Sequence, residues 1–289
     1  MFRFAHISDI HMPPLPRVAP HDLLNKRVLG YLSWHRNRKY RHRAVVLEAL
    51  ARDLKAQAPD HICVTGDLTN IALPGEFEHS VEWLGGLGPA ERVSVIPGNH
   101  DAYIPEGLRS VDAHWKPWMG DGFPYVHRRG LVAFIGVSSA IATGPFMAYG
   151  RVGDAQLVRL QAVLTDLKAE GLQRVIMIHH PPQEGVSGWR KGLHDRAAFR
   201  AVIARAGAEG ILHGHLHHPV YAEFDGPDGR SVPVYGAGSA SVFHESPRKA
   251  AHYHVFECGE NALQVSHRYY DAGKSEFVTL EQGEARDRI

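Results

Sequence analysis

Asp9, His11, Asp67, Asn99, His179, His215 and His217 fall in five short polar segments: Asp9-Ile10-His11, Gly66-Asp67, Gly98-Asn99-His100-Asp101, His179-His180-Pro181 and Gly214-His215-Leu216-His217. Carboxylate, amide and neutral imidazole are the oxygen and nitrogen donors that first-row divalent metals accept, and no thiolate stands among them. A two-metal site is the chemistry these residue types could build. Asp9 and His11 are one residue apart, as are His215 and His217, so at an extended strand end each pair projects to one side and can chelate one ion. A single such pair is more often a capping Asp or a structural histidine. Five of them at equivalent places argue for a site.

The equivalence comes from the elements that must carry them. Apolar runs over residues 2–8, 61–65, 93–96, 131–138, 175–178 and 210–212 read as short buried strands, and each polar segment arrives where one of these runs ends. Helices lie between them. Val46, Leu50 and Leu54 share a helical face ahead of Pro59, and Leu157, Leu160, Leu164 and Leu167 form a second stripe between an expected N-cap at Asp154 and a stop at Gly171. A third helix is expected over residues 195–206, with Phe199, Val202 and Ile203 inward. Strand and helix alternation implies an α/β fold, whose ligands bind beyond the carboxyl ends of the strands. After Pro219 only strand patterns remain, over 220–224, 232–235, 252–257 and 263–269, which predicts a second, mostly antiparallel sheet. Residues 1–278 read as one domain, with 13–43 a basic insertion and 279–289 a frayed polar tail.

Composition narrows the class. The 289 residues, 44% apolar and 22% charged, are enough to bury a large core, and a formal net charge of +1 gives no global pull toward nucleic acid. Cys63 and Cys258 lack metal or disulfide-scaffold spacing and fit a reducing compartment, so a cytoplasmic location is expected. Arg3, His6 and Asp9 interrupt the one stretch that could pass for a signal core, and no apolar run approaches the ~20 residues that span a bilayer.

In this order, the series DxH, GD, GNHD, HHP and GHxH over residues 9–217 resembles the calcineurin-like metallophosphoesterase family. The resemblance implies two mixed β-sheets packed as a sandwich with helices on the outer faces. It implies that Asp9, His11, Asp67 and His217 hold one metal and that Asp67, Asn99, His179 and His215 hold the other, with Asp67 as the bridge. Two cations about 3.5–4 Å apart would make a shared water a hydroxide nucleophile for in-line attack on phosphorus. His100 is then expected on the leaving-group side as a protonated imidazole, with Asp101 orienting it, although a plain turn role for Asp101 is as good. His180 follows a ligand on a strand and should point away. Mixed oxygen and imidazole ligands suit Mn or Fe first, with Zn or Co as alternatives to all-oxygen Mg. Asn70, where purple acid phosphatases carry a Tyr, argues against an Fe(III)-tyrosinate, and Asp101 differs from the GNHE of Ser/Thr protein phosphatases. The phosphodiesterase branch fits best.

The ester must be chosen elsewhere. Arg17, Lys26, Arg27, Arg36, Arg38, Lys39, Arg41 and Arg43 face a single acid, Asp22, between Met12 and Arg43, and Leu24, Val28 and Leu32 recur at helical spacing among them. Such an amphipathic element could hold an anionic lipid-linked substrate or touch a membrane through residues 17–43, or merely cover the sheet. The substrate is therefore expected to be a small or lipid-linked phosphodiester or pyrophosphate. UDP-diacylglucosamine hydrolysis in lipid A synthesis and soluble cyclic-nucleotide hydrolysis are the two specific alternatives. A nuclease or a non-catalytic scaffold fits less well, since the basic surface is narrow and no ligand is lost. Trp115, Trp118, Tyr125, Phe146, Tyr149 and Trp189 are expected in loops and could line a cleft. His35, His42, His114, His127, His194, His218, His244 and His252 are expected to be structural or on the surface.

Overall fold

A computed structural model describes residues 1–259 and 263–279. Seven strands come first: β1 (Phe2–Ile7), β2 (His61–Val64), β3 (Val93–Val95), β4 (Tyr125–Arg129), β5 (Val132–Gly136), β6 (Gln173–Met177) and β7 (Gly210–His213). Then follow β8 (Val220–Asp225), β9 (Ser231–Gly236), β10 (His252–Cys258), β11 (Leu263–Asp271) and β12 (Glu276–Thr279). One sheet has the order β12, β11, β10, β1, β2, β3, with β1 to β3 parallel and the last three strands antiparallel. The other runs β4, β5, β6, β7, β9, β8, parallel from β5 to β9 and closed at each edge by an antiparallel strand. Both are mixed sheets, as the family resemblance implies, but the strands after Pro219 do not form an antiparallel sheet of their own: β8 and β9 join β4 to β7, and β10 to β12 extend the sheet of β1 to β3.

Alternation along the strands sets the layers. On β5 and β6, Phe134, Val175 and Met177 join a core with Phe4, Phe256 and residues of the helices α3 (Ala44–Gln57), α4 (Pro74–Leu87) and α5 (Pro105–Met119). Their neighbours Ala133, Ile135 and Ile176 turn the other way, against the leucine stripe of α6 (Asp154–Ala169) and Phe199, Val202 and Ile203 of α7 (Arg196–Ala206). Central strands are thus buried on both faces, which is why they read as continuous apolar runs. Phe4 seals the joint between sheets, stacked on Phe256 at 4.7 Å and edge-on to Phe134 at 5.1 Å.

The structure departs from expectation in several places. Helix α5 replaces an expected loop, so Trp115 and Trp118 are core residues, and Trp115 Nε1 donates to Ser80 Oγ at 2.6 Å. Tyr125 is likewise buried, its hydroxyl donating to Val95 O at 2.7 Å. Asp154 is the first residue of α6 and Gly153 its N-cap; the carboxylate that meets this helix start is Asp195, which accepts from the amides of Val152 and Gly153. Thr279 ends β12, and the rest of the expected tail lies outside the described residues. Among the described residues no helix is long and apolar enough to cross a membrane.

Residues 20–43 are a broken helix. A 3-10 turn (Pro20–Leu23), α1 (Arg27–Ser33), a π turn (Trp34–Arg38) and α2 (Lys39–Arg41) follow one another. The expected apolar stripe faces outward, with Leu24 86% and Leu32 43% exposed. Gly30 and Trp34 make the inward contacts instead, Gly30 lying so close to Ile71 and Tyr103 that a larger residue would not fit.

Candidate metal centre

All five polar segments follow a strand within a few residues: β1, β2, β3, β6 and β7. Their loops are laced together by backbone. Asp9 N donates to Gly66 O (3.0 Å) and His11 N to Asp67 O (2.9 Å), while Gly214 N donates to His179 O (3.1 Å). Between the loops of the two sheets, His215 N donates to Asp9 Oδ2 (2.8 Å). Asp9, His11, Asp67, His215 and His217 all have φ between 42° and 73°, the left-handed region that residues with a Cβ seldom adopt. Strain of that kind, concentrated on five donors, turns their side chains toward one point.

The donors form two sets with one shared oxygen. One nitrogen or oxygen from each of Asp9, His11, Asp67 and His217 lies within 4.8 Å of the others. His217 Nε2 is 3.1 Å from Asp9 Oδ1 and 3.2 Å from His11 Nε2. In the second set, His179 Nε2 is 3.3 Å from Asn99 Oδ1, and His215 Nδ1 is 2.8 Å from the same oxygen. Asp67 Oδ2 faces both, 3.8 Å from His11 Nε2 and 3.4 Å from His179 Nε2, while its Oδ1 accepts from His100 N at 2.7 Å. One carboxylate oxygen is thus placed between two clusters.

Surrounding carbonyls choose which imidazole nitrogen is left free. His11 Nδ1 donates to Thr69 O (3.1 Å) and His179 Nδ1 to Thr65 O (2.7 Å), so each Nε2 can offer a lone pair inward. Asp9 Oδ1 and His215 Nε2 are buried without a hydrogen bond among the described residues; the 3.1 Å approach of His217 to Asp9 lacks hydrogen-bond geometry. Buried polar atoms are rarely left so. A cation among the donors of the first set satisfies Asp9 Oδ1, while His215 meets the second set through Nδ1, and the donor types fit a divalent metal on each side of Asp67.

Electrostatics agree. Burial works to raise the Asp9 and Asp67 carboxyls, yet neighbouring histidines outweigh it, His217 for Asp9 and His179 for Asp67, and hold both below the usual carboxylate range. Burial also works against a charged His179, but Asp67 overcomes it and lifts the imidazole to about 9. A metal bound there would displace that proton. His215 is pushed down to about 3 by burial and by His179.

Of the two roles open to Asp101, its contacts are those of the turn, and it does not orient the His100 ring. The Asp101 carboxylate accepts from the amides of Asp67 (2.7 Å), Thr69 (2.9 Å) and Gly98 (2.8 Å), pinning the second motif to the third. Its partners are these amides and the Thr69 hydroxyl (3.0 Å), not the His100 ring. That ring donates Nδ1 to Asn70 O at 2.6 Å and meets Arg38 Nη2 with Nε2 at 2.8 Å. Burial and the Arg38 charge press His100 down to about 3, against a protonated imidazole. His180 does point away from the donors, to Ser139 Oγ (2.7 Å) and Ala148 O (3.2 Å).

Above the donors lies a cavity of about 680 Å³, lined by Arg38, Arg41, Lys191 and Lys249 as well as Asn99 and His217. Asp67 is the one acid among its described lining residues, so the cavity suits an anion. Lys191, Lys249, His218 and His244 were not singled out as site residues; nothing in their spacing marks them. Of the basic stretch, Arg38 and Arg41 line the cavity and other members serve the fold: Arg27 donates to Ile71 O and Ala72 O, and Lys26 to Thr143 and Met147. His42, expected to be structural, is buried against Ser241 Oγ (2.7 Å) with its ring 4.8 Å from that of His11.

A buried glutamate fixes the loop that carries Asn70. Glu76 accepts from the amides of Asn70 (2.6 Å), Ile71 (3.1 Å) and Leu73 (3.0 Å), the last as the reach-back bond of a helix start. Replacing it by alanine strands three buried amides, and Glu76→Ala is expected to cost about 2–4 kcal/mol. Urea unfolding measures this; a change under about 0.5 kcal/mol, the size of a neutral surface substitution, would contradict the role.

A second trio, His252, His254 and His267, brings one nitrogen each within 4.8 Å across β10 and β11. There Gly238 N donates to His252 Nδ1 (3.1 Å), which makes the other nitrogen of a neutral ring a donor, directed at His267 Nδ1 (3.4 Å). His252 and His267 are a hydrogen-bonded pair, His254 turns to His6 Nδ1 (3.3 Å), and His252 has no lone pair for a metal.

Two mixed sheets whose loops converge on paired donor sets define a candidate dimetal centre. The sequence pattern of the calcineurin-like phosphoesterases matches residues 2–219, and the chain belongs to that family. Over 173 residues it is 30% identical to a protein of Synechococcus sp. described as a probable cyclic nucleotide phosphodiesterase, which covers 58% of this chain and 62% of that protein's length. Solved structures share the fold at low identity. A dimetal phosphatase from Danio rerio aligns with TM-score 0.56 at 12% identity over 96% of this chain and 98% of its own. The purple acid phosphatase PPD1 from yellow lupin (Lupinus luteus) seeds gives 0.61 at 11% identity over 96% of this chain and 52% of its own.

Proposed function

We propose that the chain hydrolyses phosphodiesters with two divalent ions, Mn or Fe before Zn or Co. The observation that carries this reading is the single oxygen Asp67 Oδ2 set between two donor clusters beneath a cationic cavity. Bound there, the ions would supply Lewis acidity to the phosphoryl oxygens and to an attacking water. Asp9, His11, Asp67 and His217 would hold one, and Asp67, Asn99, His179 and His215 the other. Arg38, Arg41, Lys191 and Lys249 then bind and orient the anion. The test is turnover of bis(p-nitrophenyl) phosphate against the monoester by metal-reconstituted protein; faster monoester hydrolysis would overturn the diester reading.

A cyclic nucleotide is the favoured substrate class. The name of the Synechococcus relative supports it, and so does an aromatic platform beside the cavity. Tyr149 and His194 stack at 4.0 Å, Trp189 continues the stack and is 70% exposed, and Ala148 and Lys191 of the same loops line the cavity. A base stacked there gains about 1–3 kcal/mol. Trp189→Ala should therefore raise KM for cyclic nucleotides by roughly 5- to 100-fold and leave glycerophosphodiesters unaffected. Equal effects on both would remove the platform from the argument.

The outward-facing Leu24 and Leu32 favour a second reading, a lipid-linked pyrophosphate such as UDP-diacylglucosamine taken at a membrane surface inside the cell. That reading requires turnover of this substrate that falls when Leu24 and Leu32 become serine; unchanged turnover would exclude it.

A further inference from the structure

Four side-chain cations line the cavity, and none of them is tied to a carboxylate. Elsewhere arginines are paired, Arg128 with Glu170, Arg174 with Glu209 and Arg268 with Asp53. Arg38, Arg41, Lys191 and Lys249 form no ion pair among the described residues, although they share a cavity whose one described acid is Asp67. Gathered like charges repel one another, a cost that a bound anion removes.

The four do not form one group. Arg38 ends the π turn and meets the His100 ring with Nη1 (3.2 Å from Nδ1) and Nη2 (2.8 Å from Nε2), and His100 N donates to Asp67 Oδ1 at 2.7 Å. It stands with the metal donors. Arg41 closes α2, and there a bridge between His42 and Val242 and a bond from Phe243 N to Arg41 O (2.7 Å) join the basic stretch to the loop that ends in Lys249. The Arg43 guanidinium lies 4.1 Å over the Phe243 ring, and a 3-10 turn (Pro247–Lys249) closes the loop with Lys249 N donating to Ser246 O at 3.0 Å. Arg41, Phe243, His244 and Lys249 thus make one wall of the cavity, and Glu245 of the same loop is not among the lining residues. Lys191 comes in elsewhere, with Ala148 on the loops of Tyr149 and Trp189.

We propose that Arg41 and Lys249 form a subsite for a second phosphate, so that the substrate is a nucleotide ester carrying phosphate beyond the one that is cleaved. This deepens the phosphodiesterase reading above and rests on it. A diester brings one negative charge to the reacting phosphorus, and the metal centre with Arg38 beside it is sufficient to meet that charge. Arg41 and Lys249 are then left facing open cavity. A volume of about 680 Å³ has room for base, sugar and two phosphates together. A terminal phosphate is more highly charged than a diester, and its oxygens take charge-assisted hydrogen bonds from a guanidinium and an ammonium at once.

Two chromogenic diesters test the subsite: the p-nitrophenyl ester of thymidine 5′-phosphate, and the same ester with a phosphate on the 3′ oxygen. With metal-reconstituted protein, KM for the second is expected to be lower by about 10-fold or more. The ratio of the two KM values is the readout, because a change that merely loosens the cavity moves both together. In the double variant Arg41→Ala, Lys249→Ala the ratio should fall to about 1, whereas Lys191→Ala should raise both KM values and keep their ratio. Arg41→Lys, which keeps the charge, should keep most of it. Equal KM values for the two esters in the wild-type protein would overturn the proposal, as would a ratio that survives the double variant. Calorimetric titration with thymidine 3′,5′-bisphosphate and with thymidine 5′-phosphate separates this failure from that of the reading beneath it. Absence of turnover on both esters defeats the phosphodiesterase reading, while the ratio of the two Kd values still decides the subsite.

Discussion

Asp67→Ala is expected to lower kcat by on the order of 10³-fold or more and to leave fewer than two ions per chain. The size follows from position. Oδ2 faces His11 and His179 together, so its loss takes a donor from both clusters at once. Lewis-acid stabilisation is worth several kcal/mol, and each 1.36 kcal/mol is tenfold in rate. Asp67→Asn keeps one amide oxygen and should fall between wild type and Ala. Metal content by mass spectrometry and initial rates on an aryl phosphodiester check this together. A variant that retains two ions and turns over within tenfold of wild type would show that Asp67 is not shared.

A single methyl group at the first residue of the third motif is expected to do nearly as much damage. At Gly98 a Cβ would land on Asp67 Oδ1 and lie 2.7 Å from both Asp67 N and His179 Cε1. Backbone held by Asp101 does not give way cheaply. Gly98→Ala should cost about 1–3 kcal/mol of stability through overpacking and about 10²-fold in kcat by displacing the shared carboxylate. Gly144, with open space around its Cβ position, is the control, and Gly144→Ala should leave rate and unfolding midpoint at wild type. Equal behaviour of the two variants would mean the second and third motifs are not packed this closely.

What could be read from residues alone was whatever a two-sided burial pattern imposes. Central strands buried on both faces leave continuous apolar runs, and polar donors cannot occur before those runs end, so the strand ends and the donor positions were legible together. Helices α4 and α5 were not, because Gly75, Gly85 and Gly86 dilute one and Pro117 sits inside the other. Asp101 shows a different limit: a carboxylate that orients a ring and one that binds three amides have the same spacing from their neighbours. Arg38 was visible as one charge among eight. Its reach into the cavity depends on a π turn that no local pattern announces.

The left-handed backbone of five donors bears on how much of this protein a cell can keep. Each such residue costs about 1 kcal/mol or more, which over Asp9, His11, Asp67, His215 and His217 sums to roughly 5 kcal/mol, a large part of the ~5–15 kcal/mol that separates a folded domain from its unfolded chain. Ions that bind only the folded form return about 2.7 kcal/mol each at a hundredfold excess over Kd. Steady-state abundance should therefore track metal supply, with newly made chains in starved cells passing to quality-control proteases before any catalytic shortfall is felt.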